Sequence, residues 1–151
     1  MRKYLVVIDE TPEARIAFRF ASRRAEKTNG ALHILALVPK EDFVAWGAVQ
    51  ATIADEAERR AEALVAGVAG DYFSQSGKRP AIAVMQGDAV ESLKKFLSEH
   101  DDITALVLGA AASGAPGPLV SHFAASQAGS LPCPVMVIPG GLGNEEIDRL
   151  S

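Results

Sequence analysis

The segment Ala105-Leu-Val-Leu-Gly109-Ala-Ala-Ala-Ser113-Gly114-Ala-Pro-Gly117-Pro118-Leu-Val-Ser121-His122-Phe123 decides the fold class. Ala105 to Leu108 is a short apolar run that reads as a buried strand, stopped at Gly109. Small residues follow, with Gly114 and Gly117 among them, and Pro118 suits the first position of a helix. Strand, glycine loop and helix start is the order in which α/β proteins bind phosphate. Glycines let the main chain approach the anion, the N–H groups of the first helical turn point at it, and the helix dipole favours negative charge there. A phosphate or nucleotide site is therefore the first functional expectation.

The flanking sequence repeats the alternation. Tyr4 to Ile8 is a continuous apolar run and reads as a strand covered on both faces. Thr11 and Pro12 then open a helix whose Ala14, Ala17, Phe18, Ala21 and Ala25 recur at helical spacing, stopped by Asn29-Gly30. Ala31 to Val38 is a second strand, ended by Pro39. A long alanine-rich segment follows, helical at least from Ile53 to Val68, with Gly47, Gly67 and Gly70 weakening it and Ser76-Gly77 closing it. Pro80 to Met85 is the third strand. Asp88 caps a helix with Val90, Leu93, Phe96 and Leu97 on its buried stripe. Ile103 to Leu108 is the fourth strand, Pro118 to Ala128 the next helix, and Val135 to Ile138 the fifth strand. Asn144 to Leu150 is expected to form one or two helical turns in a short C-terminal tail, residues 144–151, after a single domain over residues 1–143. Strands alternating with helices imply a parallel sheet with right-handed crossovers. Ligands of such sheets bind beyond the carboxyl ends of the strands, where the strand order reverses. The first and fourth strands, ending in Asp9 and Gly109, are the candidates.

Composition narrows the functions. The net charge of −4 argues against a nucleic-acid partner, which needs a basic face. No apolar run is long enough to span a bilayer, the N-terminus enters a strand without an apolar leader, and Cys133 is alone. The expectation is a cytoplasmic protein. Cys133, flanked by prolines, reads as a small buried hydrophobe.

Three pieces of the chain together resemble the universal stress protein family: Leu5-Val-Val-Ile-Asp9, the Gly87-Asp88-Ala89 turn, and Leu106-Val-Leu-Gly109 running on to Cys133-Pro-Val-Met-Val-Ile-Pro139. The resemblance implies an open five-stranded parallel sheet in the order 3-2-1-4-5 with helices on both faces, the Rossmann-like architecture of the adenine nucleotide alpha-hydrolases. It also implies dimers made through the last strand. The family's ATP-binding branch carries Gly, two residues, Gly, nine residues, then Gly-Ser or Gly-Thr. Here Gly109 matches the first glycine, but Ala112 stands where the second belongs. Ser121-His122 best matches the closing pair, in a loop about one residue shorter. Such a remodelled loop suits AMP or another adenine nucleotide as well as ATP, with Mg²⁺ only alongside a triphosphate.

The candidate nucleotide-binding residues are Asp9, Val38, Gly109, Ser113, Gly114, Gly117, Ser121 and His122. Asp9 either meets the ribose or adenine, as the resemblance suggests, or simply caps the Thr11–Pro12 turn. Val38 is an adenine wall or plain core. The Ser113 and Ser121 hydroxyls are candidate phosphate donors. His122 has no carboxylate or cysteine partner in sequence and is not assigned to catalysis. His33 and His100 suggest no metal site, since no other ligand sits at metal spacing. Phe43, Val44 and Trp46 are either packing or an aromatic lid. The Arg23-Arg24 and Arg59-Arg60 pairs read as solvated helix faces. Between Gly109 and Ser130 there is no Lys, Arg, Asp or Glu, and phosphoryl transfer relies on cations. The leading expectation is a nucleotide-binding regulatory protein of stress response that turns its ligand over slowly or not at all. A ligand-free dimeric adaptor and a slow nucleotide hydrolase are the alternatives, and Lys40 is the basic residue that topology brings nearest the loop.

Overall fold

Five parallel strands form one sheet in the order β3-β2-β1-β4-β5, in a computed structural model that describes residues 1–39 and 47–151. The elements in chain order are β1 (Lys3–Ile8), α1 (Pro12–Lys27), β2 (Ala31–Val38), α2 (Gly47–Ser76), β3 (Ala81–Gln86) and α3 (Ala89–Glu99). They continue with β4 (Ala105–Ala110), α4 (Pro118–Ser121), β5 (Val135–Pro139) and α5 (Asn144–Leu150). Lys40, Phe43, Val44 and Trp46, and with them the aromatic lid, lie outside the described residues.

Alternate residues of β1 feed two cores, because successive side chains on a strand face opposite ways. Val6 and Ile8 pack with Ala17 and Ala21 of α1, Val65, Val68 and Tyr72 of α2, and Ile147 of α5. Leu5 and Val7 pack with Leu93 and Phe96 of α3 and with Phe123, on the other face. Helices thus cover both sides of the sheet, which is why the central strands are apolar throughout.

Local chemistry sets the helix ends. Thr11 caps α1, accepting from the Ala14 N–H at 3.3 Å, and Pro12 follows it. Asp88 caps α3, accepting from the Glu91 N–H at 3.0 Å. α2 runs unbroken through Gly67 and Gly70, where an added Cβ would meet open space. Each glycine costs a helix interior about 1 kcal/mol. The burial of Val65, Val68 and Tyr72 along one stripe outweighs that cost.

Two expected elements differ most from the sequence reading. β4 begins at Ala105 instead of Ile103 and runs through Gly109 to Ala110, pairing Gly109 with Ile138 of β5 instead of stopping there; the two preceding residues form a lead-in whose Thr104 N–H donates to the Lys3 carbonyl at 2.8 Å. The helix expected over Pro118 to Ala128 is three pieces: α4, a π-turn over His122–Ser126 and a 3₁₀ turn over Ala128–Ser130. The Gln127 N–H reaches the His122 carbonyl at 3.0 Å, one residue wider than an α-turn. The wider turn accompanies the seating of Phe123, which is fully buried.

α5 is tied to the outside of α1. Arg19 grips Asp148 with Nε to Oδ1 at 2.8 Å and Nη2 to Oδ2 at 2.7 Å. Arg23 touches the same carboxylate at 3.2 Å and reaches Gln75 of α2 at 2.7 Å. The Arg24 Nη1 donates to the Ser151 carbonyl at 3.0 Å. The hydrogen bond from Arg19 holds the Asp148 carboxyl below its usual range.

At the amino end of the sheet, His33 of β2 is buried and its Nδ1 has no hydrogen-bond partner among the described residues. Its ring meets Phe96 and His100 edge-on, with centroids 4.9 Å and 5.5 Å away. Burial lowers its pKa from 6.5, His100 and Lys3 lower it further, and Asp102 opposes them. An unfolded chain therefore takes up this proton first as pH falls. This contribution is fully present above the unfolded value of about 6.5 and is lost progressively as pH falls through and below it. In urea titrations above and below that value His33→Phe should show a smaller decline than the wild type. Equal declines would remove His33 as the cause.

Candidate functional site

Beyond the carboxyl ends of β1, β2 and β4 lies a cleft of about 580 Å³, within the range of small-molecule sites. It sits where the chain crosses from one half of the sheet to the other, so the elements that follow β1 and β4 pass to opposite faces above it. Its floor is apolar: Val7 and Ile8 from β1, Leu37 and Val38 from β2, Leu108 from β4 and Leu64 from α2. The turn at Gly87-Asp88-Ala89 closes one side, drawn in by the Gly87 N–H donating to the Val38 carbonyl at 3.1 Å. Residues 116–120, with the start of α4, close another.

Of the candidate residues, Asp9, Val38, Gly109 and Gly117 line the cleft. Ser113, Gly114, Ser121 and His122 are not in its lining. The glycine loop folds back on itself: the Ala111 N–H donates to the Pro116 carbonyl at 3.1 Å, leaving Ser113 and Gly114 exposed. Ser121 is exposed and its N–H bonds the Gly117 carbonyl at 3.0 Å. His122 lies edge-on to Phe123 at 4.9 Å, its Nε2 buried without a partner among the described residues. Gly117 caps α4 at φ +114°, a conformation that strongly favours glycine.

Gly109 has a packing reason to be glycine. A Cβ there would collide with the Glu13 carbonyl oxygen and lie 2.6 Å from the Glu13 carbonyl carbon. Gly140, beyond β5, meets the same turn: a Cβ there would stand 3.0 Å from the Glu13 Cβ and 2.5 Å from the Ala110 carbonyl oxygen. The first turn of α1 is thus wedged over the ends of β4 and β5.

Asp9 both caps and lines. Its Oδ1 accepts from the Thr11 N–H at 2.9 Å and from the Thr11 hydroxyl, which in turn accepts from the Ala14 N–H. The sequence reading missed Arg60. α2 presents Ala57, Arg60, Ala61 and Leu64 to the cleft, and the Arg60 Nε meets Glu10 Oε1 at 3.3 Å. The signal was present: Ala57, Ala61 and Leu64 share one helical stripe, and Arg60 sits on its edge. Among the described lining residues Arg60 is the one Lys or Arg, against the carboxylates of Asp9, Glu10, Glu13 and Asp88. Cys133 is half-buried away from the cleft, and burial pushes its thiol pKa up, which makes it a poor nucleophile.

No curated protein sequence is significantly similar to this chain. The fold is similar to solved universal stress proteins. UspA from Lactobacillus plantarum superposes with a TM-score of 0.75 at 21% identity, covering 91% of this chain and 97% of that one. A universal stress protein family member from Arabidopsis thaliana with AMP bound superposes at 0.59 with 13% identity, covering 92% of each chain. A universal stress protein in complex with cAMP does so at 0.57 with 14% identity, covering 91% of this chain and 96% of that one. The match to the Universal stress protein family itself extends over residues 1–139, and the chain belongs to that family.

Proposed function

We propose that this chain is a nucleotide-binding stress protein whose cleft holds an adenine nucleotide. The observation that carries the reading is the apolar cleft at the strand-order reversal, with Asp9, Val38, Gly109 and Gly117 around it. Relatives of the same fold carry AMP and cAMP. The purine lies over Val38 and Leu64, and the ribose faces the Asp9 oxygen that Thr11 does not occupy. The phosphate meets the main-chain N–H groups of Leu119 and Val120, which the first turn of α4 leaves without intrahelical partners. AMP or ATP is the expected ligand, with Mg²⁺ accompanying only a triphosphate. The lining supplies no His or Cys among the described residues, and its one hydroxyl, on Thr11, is engaged in both directions. The protein therefore acts as a binding and regulatory module. The described residues contain no helix long and apolar enough to cross a membrane. Self-association through the outer edge of β5 completes the proposal.

Isothermal titration of nucleotide-stripped protein with adenosine, AMP and ATP tests the ligand class. Gly117→Val should weaken nucleotide binding by about tenfold or more, because valine is strained at positive φ and adds bulk at the anion. Absence of binding by all three ligands would leave the dimeric adaptor in its place. Steady turnover above about one per second, within the ordinary enzyme range, would make it a hydrolase.

A further inference from the structure

We propose that the Glu10–Arg60 pair reads the charge of the ligand, and that the cleft selects a nucleoside carrying one phosphate over a triphosphate. The inference rests on the nucleotide reading above. Two of the four carboxylates in the lining are pinned by capping bonds: Asp9 to the Thr11 N–H and Asp88 to the Glu91 N–H. Glu13 is half-buried in the wedged first turn of α1. Glu10 and Arg60 instead stand out to solvent, with side chains 69% and 58% exposed.

Their pairing is a single contact, Nε to Oε1 at 3.3 Å. Both Nη groups of Arg60 have no partner among the described residues. A guanidinium in that state can present a two-pronged face to a phosphate. An exposed one-contact ion pair is weak, so an incoming phosphate displaces Glu10 at little cost. The displaced carboxylate stays at the rim. There it adds to the field of Asp9, Glu13 and Asp88, which one cation cannot balance. The first phosphate gains a partner and every further negative charge meets repulsion, softened by salt. Arg60 thus sets the preference for one phosphate, and Glu10 sets its strength.

Isothermal titration at low ionic strength without divalent cations tests this on the wild type, Arg60→Gln, Glu10→Gln and Arg59→Gln. Arg59 is the control: it makes the same charge change one residue away on the same helix, is exposed, and does not line the cleft. The wild type should bind AMP about tenfold more tightly than adenosine, and ATP more weakly than AMP. Arg60→Gln should remove much of the advantage of AMP over adenosine, leaving the part held by the Leu119 and Val120 N–H groups, and leave adenosine unchanged. Glu10→Gln should tighten AMP and narrow the gap between AMP and ATP. Arg59→Gln should leave all three affinities in place. The proposal is overturned if Arg60→Gln weakens AMP no more than Arg59→Gln does. It is also overturned if wild-type protein binds ATP at least as tightly as AMP, or if Glu10→Gln leaves AMP unchanged. If wild-type protein binds neither adenosine nor AMP, the nucleotide reading falls first and this inference falls with it.

Discussion

Gly109→Ala is expected to destabilise the ligand-free protein by about 3 kcal/mol or more, the upper range for overpacking a tight site. The new methyl group would be driven into the main chain of Glu13, with the Glu13 Cβ itself 3.1 Å away. A flexible side-chain tip could step aside, but this obstacle is a helical turn. Thr11 caps it, and α1 is packed on β1 and β4 behind it. Relief requires α1 to lift from the sheet, which opens the core that Ala17 and Ala21 help to seal. The urea midpoint should fall with little change in slope. Gly67→Ala provides the contrast. It lies in a helix interior with open space around the Cβ position, so it should raise stability by roughly 0.5–1 kcal/mol. If Gly109→Ala leaves the midpoint where it was, the close approach of α1 does not require glycine there.

Val137→Lys should dissociate the proposed homodimer, weakening it by about 3 kcal/mol, or roughly a hundredfold in Kd. Among the described residues β5 is bonded to β4 on one side only, so its other edge presents unpaired main-chain groups. Val137 is 38% exposed on that strand, and Val135 and Met136 are partly exposed. A bare apolar edge pairs with another strand unless something covers it. Across a two-fold axis a lysine would also face its own copy, and like charges placed opposite each other repel. β3, the other edge, exposes Ile82 at 48%, so Ile82→Lys is the matched control. Sedimentation at micromolar concentration should show a dimer for the wild type and Ile82→Lys, and a monomer for Val137→Lys. A wild-type monomer, or dissociation by Ile82→Lys instead, would move the interface away from β5.

The strands were legible because β1, β2 and β4 are buried on both faces and therefore read as unbroken apolar runs. The caps at Thr11 and Asp88 were legible because their chemistry is local. α2 was harder: Gly67 and Gly70 argue against a helix on propensity alone, and only distant partners such as Tyr4 and Ile34 reveal why it persists. The site divides along the same line. Asp9, Val38 and Gly109 follow from the rule that ligands sit beyond strand ends. Ser113, Gly114 and Gly117 follow from the glycine loop, and Ser121 and His122 from the first helical turn and the resemblance's closing pair. The Ala111–Pro116 hydrogen bond folds the loop so that sequence nearness and nearness to the cleft part company. Arg60 enters from a helix some fifty residues before the loop, so no reading confined to the loop could include it. Gly109 was read as a phosphate glycine, whereas its neighbour in space is a helix turn that the sequence places almost a hundred residues earlier.

The clasp of α5 on α1 also bears on the order of synthesis. α1 precedes α5 in the chain by more than a hundred residues and is therefore made well before it. Arg19 waits 129 residues for its carboxylate, and the apolar site for Ile147 stays open as long. A folding chain can therefore pair all five strands while one flank of α1 still faces water. Docking of α5 is the step that ends this exposure. The matched family region stops at residue 139, before that step, so a chain released there would carry the whole sheet and an unsealed seam. Such a chain would offer chaperones and proteases an apolar mark of unfinished synthesis, which the seven residues of α5 hide.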